Sequence, residues 1–303
     1  MGTSAALGAV RAARKTHRLE RIAGSAHWLM LPALVFTFAL VVFPIGYTLW
    51  LSLNDYQFGH APHFNFAANY AALLHDDVFW TGLFATFALY FLSLALQLPL
   101  GTYVGLLLNQ RLGGQTLVRT ILMSPFMMPA VVVGMMWLVI LDPSLGAANY
   151  LLGLLGLPPS QWLASPGLVI PVVAMIDTWQ WTPFVALIVL GGLQALPAEP
   201  FEAAYIDGAT SRQAFFYVTL PLLRPTLMTA AILRSVDLLR FFDIIYITTQ
   251  GGPGNASTTL NIYAYRRGFE FFDIGYASAI MIALMALVAG VVLGLMRMRR
   301  SLP

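Results

Sequence analysis

The stretch Glu202-Ala203-Ala204-Tyr205-Ile206-Asp207-Gly208-Ala209 decides the fold. It is polar and compatible with a helix, yet it lies between two long apolar segments, residues 168–193 and 226–249. Proline suits the first turn of a helix, so a short helix is predicted to begin near Pro200. Asp207-Gly208 is predicted to end or bend this helix, because glycine accepts backbone angles that other residues avoid.

One face of this short helix is predicted to bind a partner. Phe201, Ala204, Tyr205 and Gly208 follow the spacing i, i+3, i+4 and i+7, which places them on one side of a helix. A short amphipathic helix on a loop between apolar segments has little of its own chain to pack against. We therefore expect this face to dock on a soluble protein.

The composition indicates an integral membrane protein. The chain has 303 residues, of which 59% are hydrophobic and 10% charged, whereas soluble domains carry about 25% charged residues. Several apolar runs exceed the roughly 20 residues that a helix needs to cross the hydrocarbon core of a bilayer. The composition therefore predicts an all-α multi-pass membrane protein and argues against a nucleic-acid partner.

Residues for enzyme chemistry are not apparent in the sequence. There is no cysteine, and Lys15 is the one lysine, so the chain lacks the Gly-Lys-Ser/Thr of a phosphate-binding Walker A loop. No catalytic constellation and no metal-ligand set is predicted. Any ATP hydrolysis must come from another polypeptide, and this chain is expected to hold no cofactor of its own.

Six apolar segments are predicted to cross the membrane: 28–53, 79–108, 117–141, 168–193, 226–249 and 274–296. The basic tail 1–27, the loop at Arg111, the loop 197–225 and the short tail 298–303 carry nearly all the Lys and Arg outside these segments. The positive-inside rule therefore predicts that both termini face the cytoplasm. The loop 250–273 is an exception to this rule, because it is predicted to lie outside and yet holds Arg266 and Arg267.

The fifth apolar segment contains a ladder of alternating charges, formed by Arg234, Asp237, Arg240 and Asp243. Charged groups in a membrane are costly and normally face the bundle interior or a water-filled cavity. Their spacing of three lets each charge neighbour the next one of opposite sign. Two interpretations stay open: the ladder neutralises itself and holds the helix in the bundle, or part of it lines a polar path. Asp243 is interpreted as structural.

Two matching polar and aromatic stripes flank the short helix. Both follow the spacing i, i+3, i+4 and i+7, and they comprise Asp177, Gln180, Trp181 and Phe184 in the fourth segment and Arg234, Asp237, Leu238 and Phe241 in the fifth. Carboxylate, amide and guanidinium groups hydrogen-bond hydroxyls, and aromatic rings pack on apolar C–H surfaces. This chemistry suits a polyhydroxylated solute, although packing alone would explain the aromatics, Phe241 above all.

Four segments of the chain resemble binding-protein-dependent ABC importer permeases of the carbohydrate type. Glu202-Ala203-Ala204, Gly208 and Leu220-Pro221 look like the family's cytoplasmic coupling loop, and Thr249-Gln250-Gly251-Gly252-Pro253 resembles a stretch of the maltose-F-like or glycerol-phosphate-A-like subunit. Two further matches are the series Arg119, Pro125, Pro129, Trp137 and Asn149, and the tetrapeptide Trp181-Thr182-Pro183-Phe184. The resemblance covers residues 28–297.

The resemblance implies a type I importer bundle of the MetI-like kind in the bacterial cytoplasmic membrane. It implies a second homologous permease subunit, an ATPase dimer that binds ATP and Mg, an extracytoplasmic solute-binding protein and a surrounding lipid bilayer. The coupling residues would be Glu202, Ala203, Ala204, Asp207 and Gly208. The substrate-binding residues would be Asp177, Gln180, Trp181, Phe184, Arg234, Asp237 and Leu238, near the middle of the membrane.

The predicted function is transport of a sugar, polyol or related solute, driven by the ATPase partner. Glycerol phosphate also remains open as a solute, because Arg234 could pair with an anion. The alternative is an ion-coupled secondary transporter in which Asp177 and Asp237 are the coupling groups. These two functions differ in whether uptake needs an ATPase.

Overall fold

The computed structural model describes residues 30–110 and 114–300. The predicted tail 1–27, the loop residue Arg111 and the last three residues lie outside the described residues. The chain divides into two units, Met1–Leu51 and Ser52–Pro303. Each unit is described by itself.

The first unit contains all but the last residue of helix α1, Met30–Ser52, which is 23 residues long and apolar enough to cross a membrane. Its middle is a wider π-helical turn, Phe38–Val42. Pro44 follows this turn and has no N–H to donate to the preceding turn, which accounts for the local change of helix type. The helix matches the predicted first span, with Pro44 inside it.

The second unit is built from long apolar helices. These are α3 (Asp77–Asn109), α7 (Val169–Gln194), the segment Ser211–Thr248 and α13 (Ile274–Arg300). With α1, the described residues hold five helices able to cross a membrane, or six if one bent pair forms a single span. The shorter elements are β1 (Asn54–Asp55), β2 (His63–Phe64), α2 (Ala68–Leu74), α4 (Gln115–Met123), α5 (Ala130–Ile140) and α6 (Ala147–Leu154).

The third predicted span is bent and does not form one straight helix. Residues Thr116–Met127 and Ala130–Ile140 meet at 95°. Pro129 is the cause, because a proline disfavours helical angles at the residue before it, and Met128 is extended with ψ 137°. The predicted third span, 117–141, is therefore present as an apolar segment, but it consists of two helical parts.

The fifth predicted span is broken as well. Helix α10, Leu220–Leu239, has Arg240 as its C-cap residue. A separate helix, α11, Asp243–Thr248, follows. The carbonyls freed by this break have partners near α12, Leu260–Tyr265: Asn261 donates to Arg240 O at 2.8 Å, and Thr259 donates to Phe241 O. Such substitutes are needed where helical carbonyls lose their internal donors. The charge ladder therefore does not run along one helix.

Helices α3 and α7 pack at close range because α3 carries Gly101 and Gly105 at the contact. A Cβ on Gly101 would lie 2.5 Å from Val185 Cγ1, and one on Gly105 would lie 2.8 Å from Val189 Cγ1. Small residues four apart let two membrane helices approach until their backbones nearly touch. This contact brings Gln97, one turn before Gly101, into reach of α7.

Asp76 ties three elements together at the start of α3. It caps α3 by accepting from the amides of Val78 and Phe79, and its Oδ2 accepts from the hydroxyls of Tyr263 and Tyr276. Burial pushes the pKa of Asp76 up, but these hydrogen bonds outweigh burial and lower it. The carboxylate therefore stays charged at neutral pH, which its role as a helix cap requires.

Arg266 and Arg267, the two exceptions to the positive-inside pattern, both form hydrogen bonds within the protein. Arg266 Nη2 donates to Gln250 O at 2.5 Å, and Arg267 Nε donates to the hydroxyl of Tyr263 at 3.0 Å. The guanidinium of Arg267 also lies 4.7 Å from the ring centroid of Tyr276. These positive charges stabilise the loop after α11, which explains their presence on the side predicted to face outside.

Candidate functional site

The predicted coupling helix exists as α8, Glu199–Ile206. Pro200 lies in its first turn together with Glu199 and Glu202, and acidic residues there favour the positive end of the helix dipole. Asp207 ends α8, and Gly208 has φ +72°. The chain then turns into α9, Ser211–Ala214, which Thr210 and Gln213 begin with a reciprocal capping box.

The exposed face of α8 differs from the predicted one. Phe201 and Ala204 are half-buried against their own chain, whereas Tyr205 and Ile206 are 85% and 83% exposed. The exposed apolar surface of α8 is therefore Tyr205 and Ile206, flanked by the exposed Glu202 and Ala203. The sequence pattern missed this because it could not show which side of α8 packs on the following helix.

Gly208 is needed for its backbone angle, as the sequence predicts, and not to make room for a neighbouring atom. A Cβ added at Gly208 would meet nothing within 4 Å, but the positive φ is one that side chains other than Asn and Asp rarely adopt. Ala204 and Gly208 lie beside a groove of about 300 Å³, which Asp207, Ala209, Gln213 and Tyr217 also line. Small residues at 204 and 208 keep this groove open.

A second candidate site lies where α3, α7 and α10 meet. Arg234 on α10 is 1% exposed, and its Nη2 donates to both carboxylate oxygens of Asp177 on α7, at 2.9 and 3.1 Å. Its Nε donates to Oε1 of Gln97 on α3 at 2.8 Å, and Gln97 Nε2 donates to Asp177 at 2.5 Å. We call Gln97, Asp177 and Arg234 the buried triad. Each member hydrogen-bonds both others. The charges of Asp177 and Arg234 are therefore paired, and Nε and Nη2 of Arg234 both have acceptors.

Next to the buried triad lies an aromatic cluster that is partly exposed. The guanidinium carbon of Arg234 is 4.3 Å from the ring centroid of Trp181, a cation–π distance. Trp181 meets Phe184 edge-on at 5.7 Å, and Phe126 contacts both rings at 5.3 and 5.5 Å. We call Phe126, Trp181 and Phe184 the aromatic platform. It offers apolar ring surface beside a polar group, as sugar recognition requires.

The remaining charges of the ladder are more exposed than the buried triad. The Asp237 side chain is 42% exposed, with its carboxylate 3.5 Å from Arg234 Nη1 and 3.8 Å from Arg240 Nη2. Arg240 is 58% exposed, and its Nε donates to the carbonyl of Val236. Asp243 is exposed, and in the described part of the chain no ion pair joins it to the other three charges.

The structure brings together some of the predicted substrate-binding residues, whereas others make their contacts elsewhere. Asp177, Trp181, Phe184, Arg234 and Asp237 form the neighbourhood just described. Gln180 instead donates to the carbonyl of Met128 at 3.0 Å and is buried. Leu238 is 1% exposed and packs with Tyr90. The role of all these residues in substrate binding stays a prediction.

Sequence reasoning missed Gln97 and Phe126. Gln97 carries a detectable signal, because it is a lone amide within the apolar run of α3, and such a group needs a partner inside a bundle. Phe126 carries none, since one more phenylalanine among apolar residues looks like packing. Its place in the aromatic platform depends on the bend at Met128–Pro129.

Comparisons with known proteins agree with this architecture. Residues 97–299 match the family described as binding-protein-dependent transport system inner membrane component. The trehalose/maltose transport system permease protein MalF of Thermococcus litoralis is 38% identical over 269 residues, which cover 88% of this chain and 91% of the relative. The trehalose transport system permease protein SugA of Mycobacterium tuberculosis is 33% identical, covering 87% and 85%. The sulfoquinovosyl glycerol transport system permease protein SmoG of Agrobacterium fabrum is 32% identical, covering 86% and 85%.

Solved structures share the fold. The bacterial alginate ABC transporter, in complex with its alginate pentasaccharide-bound periplasmic protein, contains a chain that matches with a TM-score of 0.80 at 22% identity. The match covers 93% of this chain and 96% of that one. A chain of the MetNI methionine ABC transporter matches with a TM-score of 0.53, covering 73% and 94%.

Among the described residues, long apolar helices enclose a buried ion pair, and the family match makes this architecture that of a membrane transport subunit. The chain belongs to the family of binding-protein-dependent transport system inner membrane components. It is thus a permease of the ABC transporter kind, as its coupling-loop motif had predicted.

Proposed function

We propose that this chain is the transmembrane permease subunit of an ATP-driven importer for a sugar, polyol or related solute. The relatives named above are permeases of trehalose, maltose and sulfoquinovosyl glycerol systems. The aromatic platform beside hydrogen-bonding carboxylate and guanidinium groups supports a polyhydroxylated solute. Trp181, Phe184 and Asp237 would contact the solute, and Asp177 and Arg234 would hold them in place.

The observation that carries the proposal is a continuous helical connection between the two candidate sites. From Ser211 through the π turn Phe215–Thr219 to Leu239, the chain is helical without interruption. At 1.5 Å per residue, Arg234 lies about 35 Å along this segment from the turn that follows α8. A displacement of α8 would therefore be transmitted along a rigid element to Arg234 and Asp237.

The remaining partners follow from the same proposal. A partner ATPase dimer would bind ATP and Mg and press on Tyr205, Ile206 and the groove beside Gly208. A second homologous permease subunit would complete the path, and a solute-binding protein would deliver the solute from outside. Docking of that protein would shift the transporter between inward and outward access only through its differential affinity for the two states.

The ion-coupled alternative gains no support from the geometry. A coupling carboxylate must exchange its ion or proton with the path, but Asp177 is fully buried and bound by Arg234 and Gln97. Asp237 is more accessible, yet it is flanked by two guanidinium groups. Both carboxylates already have cationic partners within the protein.

The test is uptake into vesicles that contain this chain with its partner permease, ATPase and binding protein. We expect uptake of labelled trehalose or maltose to require ATP on the side of α8 and to continue when an uncoupler collapses ion gradients. The matched control is the same assembly with an ATPase whose Walker A lysine is replaced. Uptake that persists with this ATPase and stops with the uncoupler would instead establish the ion-coupled alternative.

The proposed topology can be checked in this cysteine-free chain. Single cysteines at Ala61, Gln161 and Ser211, all exposed, should react with an impermeant thiol reagent according to their side. Ala61→Cys and Gln161→Cys should label in sealed cells, whereas Ser211→Cys should label only after the membrane is opened. Labelling of Ser211→Cys in sealed cells would contradict the placement of both termini in the cytoplasm.

A further inference from the structure

The charges beside the aromatic platform add up to zero, and each cation already has acceptors within the protein. Arg234 and Arg240 contribute two positive charges, and Asp177 and Asp237 contribute two negative ones. Arg234 is 1% exposed, donates to Gln97 and Asp177, and lies over Trp181. Arg234, the guanidinium that contacts the platform, is therefore already paired within the protein.

Asp237 is the residue on which this balance depends. It is the one carboxylate of the four-charge group that is substantially exposed, and it lies between Arg234 Nη1 and Arg240 Nη2. Asp177 cannot play the same role, because its side chain is 0% exposed and belongs to the buried triad. Without the charge of Asp237, the group would carry a net charge of +1, and Nη1 of Arg234 and Nη2 of Arg240 would lose their shared carboxylate partner.

We infer that Asp237 sets the charge selectivity of the platform, so that neutral polyhydroxylated solutes are accepted and anionic ones, such as sugar phosphates or uronates, are excluded. This inference rests on the proposed function. It narrows the proposed solute class to neutral compounds. Asp237 repels the anion directly and keeps both arginines paired.

The absence of cysteine allows a test that does not need the natural solute. Phe184→Cys places a single thiol in the platform, next to the ring of Trp181. The full transporter in lipid nanodiscs is treated with neutral methyl methanethiosulfonate or with its anionic sulfonatoethyl analogue, and the modification rate of this chain is followed by mass. The quantity compared is the ratio of the neutral rate to the anionic rate.

We expect Asp237→Asn in the Phe184→Cys background to lower this ratio by about tenfold, because it removes the negative charge paired with Arg234, which lies over Trp181. Asp243→Asn is the matched control, since it removes the same charge from an exposed position on α11, and it should change the ratio by less than about twofold. Asp237→Asn is nearly isosteric, so loss of the fold is not expected to obscure the result.

Two outcomes would overturn the inference. One is a ratio that Asp237→Asn leaves unchanged, and the other is an equal fall with Asp243→Asn, which would show a general surface effect. Neither outcome touches the ATP dependence of uptake, so the proposed function would stand. If uptake did not depend on ATP but the thiol ratios were as expected, the proposed function would be wrong and the inference would stand. The site would then be charge-selective in a protein with a different mechanism.

Discussion

Arg234→Gln is expected to destabilise the helix bundle by about 3–5 kcal/mol, because it leaves the buried carboxylate of Asp177 without its cationic partner. At the meeting point of α3, α7 and α10, Nη2 of Arg234 donates to both oxygens of Asp177, and the two side chains are 1% and 0% exposed. A glutamine cannot supply the charge that this geometry demands. The measurement is the fraction of monodisperse protein in detergent after heating, compared with wild type.

Two further variants separate the loss of charge pairing from the loss of a side chain. Arg234→Met combined with Asp177→Leu removes both charges, and replacement of a buried ion pair by apolar residues is often neutral or stabilising. The double variant should therefore recover most of the stability while uptake stays lost, since the cation beneath Trp181 is gone. Arg240→Gln is the control, because its 58% exposed ion pair should contribute no more than about 1 kcal/mol. Equal stability of Arg234→Gln and Arg240→Gln would contradict a structural role for the buried triad.

Ala204→Arg is expected to release the partner ATPase from the membrane or to leave it bound but insensitive to solute. Ala204 lines the groove beside Gly208, so a long charged side chain would fill the space that a partner must enter. We expect ATPase co-purification, or solute-stimulated hydrolysis in vesicles, to fall at least about tenfold, as loss of one well-packed contact of 1.4 kcal/mol or more implies. Docking of the solute-binding protein should persist, because that surface is proposed to lie across the bilayer.

The matched control for this variant is Ala195→Arg, which adds the same side chain at an exposed position at the end of α7. It should leave both coupling measurements close to wild type. At Gly208, Asn should be tolerated better than Val, because asparagine adopts the positive φ of this position more readily. Normal coupling in both Ala204→Arg and Gly208→Val would show that α8 is an ordinary connecting helix.

The errors of the sequence interpretation have a common physical origin. The pattern Phe201, Ala204, Tyr205 and Gly208 located one side of α8, but the half-burial of Phe201 and Ala204 depends on the helix that follows. In the same way, the spacing of three along the charge ladder suggested a single helix through Asp243. The helix ends at Leu239, and the carbonyls after it are satisfied by Asn261 and Thr259, about twenty residues away, which a local pattern cannot show.

The sequence by itself determined the all-α membrane class, the apolar segments, the start of α8 beside Pro200 and its end at Asp207-Gly208. These features follow from local properties: hydrophobic length, the fixed φ of proline and the freedom of glycine. Tertiary structure alone decided which charges are buried. Gln97, Asp177 and Arg234 are separated by 80, 57 and 137 residues in their three hydrogen-bonded pairings. They meet because Gly101 and Gly105 bring α3 against α7, and no local pattern records a contact between helices so distant in the chain.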